Sequence, residues 1–131
     1  MKTIPFDNFG IMLDCSRNAV PNLNTLKKWV DLTASLGYNT LLLYTEDTYE
    51  VPDEPYFGYM RGRYTEAELR ELDAYANEHG MTIMPCIQTL AHLYAIKRWP
   101  EYWPHFDTDD ILLAGDERVY KLIDHMFRSL A

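Results

Sequence analysis

The stretch Gly10-Ile11-Met12-Leu13-Asp14-Cys15-Ser16-Arg17 decides how this chain folds. A short apolar run, the pattern of a buried strand, ends in an acid, a thiol, a hydroxyl and an arginine. In a parallel α/β sheet, ligands bind at the carboxyl ends of the strands. The pattern recurs twice: Leu41-Leu42-Leu43-Tyr44 runs into Thr45-Glu46-Asp47, and Ile83-Met84-Pro85-Cys86-Ile87 runs into Gln88 and then His92. Three apolar strands tipped with Arg17, Glu46/Asp47 and His92 describe part of the rim of a ligand site.

Helical patterns separate these strands. After Pro21-Asn22, the residues Leu26, Trp29, Val30 and Thr33 recur at helical spacing until Gly37, a residue suited to a left-handed stop. Thr65-Glu66-Ala67-Glu68 has the form of a capping box, and Leu69, Leu72, Tyr75 and Ala76 supply its buried stripe. Tyr94 to Trp103 reads as a short, proline-bounded irregular helix, and Ile111 to Leu113 as a short extended piece. A last helix spans Glu117 to Leu130, with Asp116 as N-cap and Val119, Leu122, Ile123, Met126 and Phe127 facing inward. The loop from Thr48 to Tyr64, with Pro52, Pro55, Gly58 and Gly62, is long enough to suggest a lid or another functional element. Strands and helices thus alternate as βαβαβα, which predicts an α/β fold with a parallel sheet and right-handed crossovers.

The 131 residues suffice for one domain with a core, expected here to span 1–131. Twenty acids against 12 Lys and Arg leave a net charge of −8, with no basic cluster to neutralise phosphates, so a nucleic-acid partner is not expected. Arg61 and Arg63 read as an isolated pair in a loop. No apolar run is long enough to span a bilayer, and Met1 to Pro5 lack the apolar region of a secretion signal. Cys15 and Cys86 fall at the ends of the first and third strands. With a strand between them their Cα atoms should lie about 9–10 Å apart, beyond disulfide reach. Two reduced thiols and no export signal point to the cytoplasm.

The chemistry has bland readings beside sharper ones. Arg17 could pair with nearby Asp14, Glu46-Asp47 could cap a turn, and His92 could be a satisfied histidine at a helix start. No His-x-His or Cys-x-x-Cys spacing supports a metal, and no glycine-rich phosphate loop follows a strand, so neither metal nor cofactor is expected.

Taken in order, Leu13-Asp14-Cys15-Ser16-Arg17, Asn39 to Asp47, Tyr64-Thr65 opening a helix, and Met84 to His92 resemble the first three βα units of glycoside hydrolase family 20, the exo-β-N-acetylhexosaminidases. The resemblance covers nearly the whole chain and implies three units of a (β/α)8 TIM barrel. It implies an enzyme removing terminal N-acetylglucosamine or N-acetylgalactosamine from β-linked glycans, by a retaining reaction in which the substrate's acetamido oxygen attacks. Arg17 matches the arginine that hydrogen-bonds sugar hydroxyls, and a guanidinium fork suits a vicinal diol. Glu46 and Asp47 match the paired acids after strand 2, and His92 the histidine after strand 3. In the family a strand-2 acid and this histidine form a relay to the catalytic glutamate. Two departures stand out: the first acid is Glu46 where family members commonly have aspartate, and Leu90-Ala91-His92 replaces Pro-Gly-His. Which acid meets His92 is open on sequence grounds.

The family's Asp-Glu pair ends strand 4, and no strand here carries it. Asp53-Glu54 lies between prolines, and Gly115-Asp116-Glu117 opens a helix. The expectation is a barrel segment that ends before that pair and is inactive alone, binding amino-sugar glycans and self-associating through open sheet edges. Two other readings compete with it: a non-catalytic, self-associating βα module, and a complete small α/β enzyme using Glu46 or Asp47 with His92.

Overall fold

The computed structural model describes residues 6–17 and 19–131. The expectation for Met1 to Pro5 falls outside the described residues. The elements are β1 (Gly10–Asp14), α1 (Leu23–Ser35), β2 (Thr40–Tyr44), α2 (Glu66–Glu78), β3 (Thr82–Cys86), two short 3₁₀ helices (Tyr94–Arg98 and Pro100–His105) and α3 (Glu117–Arg128). The sheet runs β1-β2-β3, all parallel, and is the βαβαβα order read from the sequence.

Local hydrogen bonds fix where the helices start. The Asn22 side chain accepts from the Thr25 N–H at 3.0 Å. Thr65 and Glu68 form the reciprocal capping box, with the Glu68 carboxylate accepting the Thr65 N–H at 2.9 Å. Asp116 accepts from the Arg118 backbone N–H at 2.9 Å. Hydrogen bonds from Arg118 hold the Asp116 carboxyl down at about 2. Gly115-Asp116-Glu117 is thus a helix start and not a strand-end acid pair.

Register divides the side chains into two faces. Ile11, Leu41 and Ile83 lie abreast, as do Leu13, Leu43 and Pro85, and this face receives the helices. Leu26 and Val30 of α1 and Leu72 and Ala76 of α2 are buried against it. The other face carries Met12, Leu42 and Met84 abreast, then Asp14, Tyr44 and Cys86. Met12 is 52% exposed and Met84 42% exposed. The sequence pattern groups Ile83 with Met12, Leu42 and Tyr44 on this open side; register corrects that, because side chains alternate along a strand and Met84, not Ile83, stands beside Leu42. Pro85 costs the ladder nothing. The Thr82 N–H donates across to Asn39 of the β2 side, so alternation turns position 85 toward the sheet's outer edge, where a proline is tolerated.

A second core lies beneath the strand-2 loop. Tyr49, Phe57, Leu93, Ile96, Tyr102 and Leu122 are all buried there, and Tyr49 meets Phe57 edge-on at 5.3 Å between ring centres. The 48–64 loop is therefore a packed layer and not a free lid. Its ends are tied by hydrogen bonds from the Glu50 N–H to the Tyr64 carbonyl and from the Tyr64 N–H to the Thr48 carbonyl. In α3, Val119, Leu122 and Met126 face inward, but Phe127 is 55% exposed, contrary to the sequence expectation. Neighbouring helix residues point about 100° apart, so Met126 and Phe127 cannot share the narrow stripe. Leu69 and Tyr75 of α2 are only partly buried.

Candidate functional site

The backbone turns sharply where β2 ends. Glu46 has φ of 51°, a left-handed conformation in which L residues are strained by roughly 1–2 kcal/mol. The turn sends the adjacent acids to different partners. Both are almost fully buried, at 1% exposure each.

Glu46 faces the first strand. Its Oε2 accepts from Arg17 Nη1 at 2.8 Å, and its Oε1 accepts from the Tyr44 hydroxyl at 3.0 Å. Burial, with that bond to Glu46, pushes the Tyr44 phenol up, so it remains a donor. The Glu46 bond raises Arg17 further above its already high range. Arg17 does not take Asp14 as partner. Asp14 instead accepts from the Ser16 hydroxyl at 2.7 Å and the Ser16 N–H at 2.8 Å. Burial pulls the Asp14 carboxyl up, but these two bonds and the charge of Arg17 outweigh it and hold the carboxyl low.

Asp47 faces the loop. Its Oδ1 accepts from Arg61 Nε at 3.2 Å, while Arg61 Nη2 also donates to the Ser16 carbonyl. Burial pushes the Asp47 carboxyl up, and the Arg61 charge only partly offsets it. Arg61 and Arg63 are not the isolated pair expected from the sequence. Arg61 instead links the ends of β1 and β2, and Arg63 pairs with Glu50 and donates to the Phe57 carbonyl. No periodic signal marks such residues; the one hint is an arginine lying between Gly58 and Gly62 in a loop that must reach back to buried acids.

His92 comes to the same mouth. A cleft of about 430 Å³ is lined by Arg17, Glu46, His92, Tyr94, Asp109 and Asp110. His92 also has a left-handed backbone, φ 62°, and half of its side chain is exposed. The carboxylate nearest its ring is not a strand-2 acid: Nδ1 lies 3.1 Å from Asp110 Oδ2. The structure thus brings Arg17, Glu46 and His92 together and turns Asp47 away toward Arg61. Cys15 and Cys86 stand as free thiols on either side of β2, as the strand order requires.

A second cavity, of about 360 Å³, opens between α2 and α3 on the helix-bearing side, against Leu69, Ile83, Pro85 and His125. It lies away from the polar rim. Beside it Glu54 joins two other elements, accepting from the Tyr102 hydroxyl at 3.0 Å and meeting His125 Nδ1 at 2.9 Å. This cluster was also invisible in the sequence.

Parallel βα units with Arg17, Glu46 and His92 gathered at the carboxyl ends of the strands have the form of a segment of a (β/α)8 barrel. The profile of the glycosyl hydrolase family 20 catalytic domain matches residues 6–121, and the chain belongs to that family. The β-hexosaminidase of Vibrio furnissii is 32% identical over 127 residues, covering 77% of this chain and 20% of the relative. That of Akkermansia muciniphila is 30% identical over 130 residues, covering 83% of this chain and 26% of the relative. The solved family 20 exo-β-N-acetylglucosaminidase of Vibrio harveyi, in complex with N-acetylglucosamine, shares the fold over 96% of this chain and 25% of its own, with a TM-score of 0.84 at 22% identity. The chain therefore spans about a quarter or less of these proteins.

Proposed function

We propose that this chain supplies part of the substrate rim of a β-N-acetylhexosaminidase, which releases terminal N-acetylglucosamine or N-acetylgalactosamine by substrate-assisted, retaining catalysis. The observation that carries this reading is the Arg17–Glu46 pair across a cleft that His92 also lines. Among the described residues only Nη1 of Arg17 is engaged, and the side chain is 55% exposed. The remaining donors of the fork are free to hold a vicinal diol. Glu46 fixes the guanidinium in place, so less ordering entropy is lost when the sugar binds. His92, Glu46 and Asp47 support the reaction, while the Asp-Glu pair that orients the acetamide and protonates the leaving oxygen belongs to a strand not among these three. The 131 residues alone therefore leave the substrate uncleaved, since general acid catalysis is worth roughly 10²–10⁴ in rate.

The test is to read the source gene beyond Ala131 and express its whole product. An apolar strand ending in Asp-Glu should follow. The product should hydrolyse a chromogenic N-acetyl-β-glucosaminide, with kcat/KM reduced about 10²-fold or more in Arg17→Ala, the order expected when a group that positions the substrate is lost. Turnover by the 131 residues alone, abolished in Glu46→Gln or His92→Ala, would replace this reading with that of a complete small enzyme.

A second proposal concerns association. Met12 and Met84 leave an apolar face open, and β1 has a strand on one side only among the described residues. Pro85 removes a donor from the outer edge of β3, so the open face and the β1 edge carry the contact. Sedimentation of the 131 residues at about 100 μM, within the range where exposed edges associate, should show a dimer or larger species. A compact monomer would refute it.

A further inference from the structure

Glu46 is a buried carboxylate whose two oxygens are served by two different donors. Arg17 Nη1 donates to Oε2 at 2.8 Å, and the Tyr44 hydroxyl donates to Oε1 at 3.0 Å. The guanidinium comes from just beyond β1. The phenol comes from the last residue of β2, which stands abreast of Asp14 and Cys86 on the open face of the sheet. Asp14, the acid nearest Arg17 in sequence, is turned to Ser16 instead. The Arg17–Glu46 pair is therefore shaped by one neighbour, Tyr44.

The consequence follows from how a guanidinium meets a carboxylate. An arginine with access to both oxygens readily takes the bidentate form, with two parallel N–H···O bonds. That form would turn two of its nitrogens, and the side of the fork that carries them, toward Glu46. Here one oxygen already accepts from a phenol. The pair makes a single bond, from Nη1 alone. Arg17 and Glu46 both line the cleft, so the form of their pairing sets which donors the cleft presents.

We propose that Tyr44 is a positioning residue for Arg17: by occupying Oε1 of Glu46 it denies Arg17 a bidentate grip on that carboxylate and keeps Nη2 and Nε available to a vicinal diol at the mouth. The use of those donors by a sugar rests on the functional reading given above, but the restraint on the pair does not.

Tyr44→Phe keeps the ring and removes only the hydroxyl, so Arg17 can close on both oxygens. The first readout is the arginine side-chain ¹H–¹⁵N spectrum of the labelled 131 residues, with Arg17 identified by its loss in Arg17→Lys. In the wild type a single bond leaves the guanidinium free to turn about Cζ–Nε, and its two Nη groups should share one averaged signal. In Tyr44→Phe they should separate, because two bonds stop that rotation. A merely structural loss would loosen the pair and leave the signals averaged. Arg63, which pairs with Glu50 and donates to the Phe57 carbonyl, should be unchanged and so report an intact loop.

The second readout is kinetic and uses the whole gene product. Tyr44→Phe should raise KM for a chromogenic N-acetyl-β-glucosaminide about tenfold, the order of one hydrogen bond to a charged group. The kcat should change little, the pattern of lost binding that ground and transition states share. The effect should vanish in an Arg17→Ala background, since the hydroxyl acts through Arg17. An Arg17 pattern that is identical or more mobile in Tyr44→Phe, or an unchanged KM, would overturn the proposal. So would a KM effect that persists without Arg17, which would mean that Tyr44 touches the sugar itself. If the Arg17 signals separate as expected but the whole gene product cleaves no amino-sugar glycoside, the restraint on the pair stands and the glycosidase reading fails.

Discussion

Replacing Arg61 with alanine should destabilise the chain by about 3–5 kcal/mol at neutral pH, the range for removing one partner of a buried ion pair. Asp47 is 1% exposed and the Arg61 side chain 18% exposed, so the substitution leaves a buried carboxylate without the guanidinium that faces it. The loss should include more than the pair. Arg61 also donates to the Ser16 carbonyl, so the end of β1 loses its tie to the strand-2 loop. The effect should depend on pH, and its sign can be worked out. Burial already holds the folded-state carboxyl of Asp47 above its usual value of 3.8. For such a group the folded state binds the proton more tightly than the unfolded state. Stability from this site therefore falls as pH rises through the window above 3.8. Without Arg61 the carboxyl rises further and the window widens. Urea unfolding of wild type and Arg61→Ala, compared at pH 7 and about pH 5, should show the deficit shrinking on acidification. A deficit below about 1 kcal/mol at pH 7 would mean that water reaches Asp47, as at a surface pair.

Gly58→Ala should be comparably severe, near 3–5 kcal/mol. Gly58 has φ of 62°, and a Cβ there would lie 2.0 Å from the Asp47 carbonyl oxygen and 3.2 Å from Arg63 Cβ. The left-handed backbone alone costs an alanine roughly 1–2 kcal/mol. The clash adds more because a main-chain carbonyl cannot rotate away as a side chain can. Relief requires the loop to lift off the end of β2, which disturbs the Asp47–Arg61 pair. Gly62 is the matched control. Its φ is 69°, but a Cβ there meets only Val20 Cβ, at an ordinary 3.7 Å. Gly62→Ala should therefore cost only the backbone part, about 1–2 kcal/mol. Equal thermal shifts for the two variants would show that the loop yields easily and that the close approach carries little energy.

These two residues also mark the boundary of what the amino-acid sequence conveys. By itself it determined the alternation of strands and helices, the polar tips of the three strands, the Thr65–Glu68 capping box and the Asp116 cap. Each depends on residues within one turn or one strand, where side-chain periods of 2 and 3.6 and short-range hydrogen bonds leave a local imprint. It also placed Arg17, Glu46 and His92 at one end of the sheet, because parallel strands with crossovers put every carboxyl terminus on the same side. Tertiary structure alone decided the pairings. Arg61 reaches Asp47 across 14 residues and His125 reaches Glu54 across 71, and no periodicity encodes either. The same holds for the turn at Glu46, which separates two adjacent acids that look equivalent in sequence, and for the backbone path that brings Asp110 beside His92. Such contacts depend on the path of loops over a finished sheet, and on register, which also decided that Ile83 joins the helix-bearing face while Met84 stands on the open one.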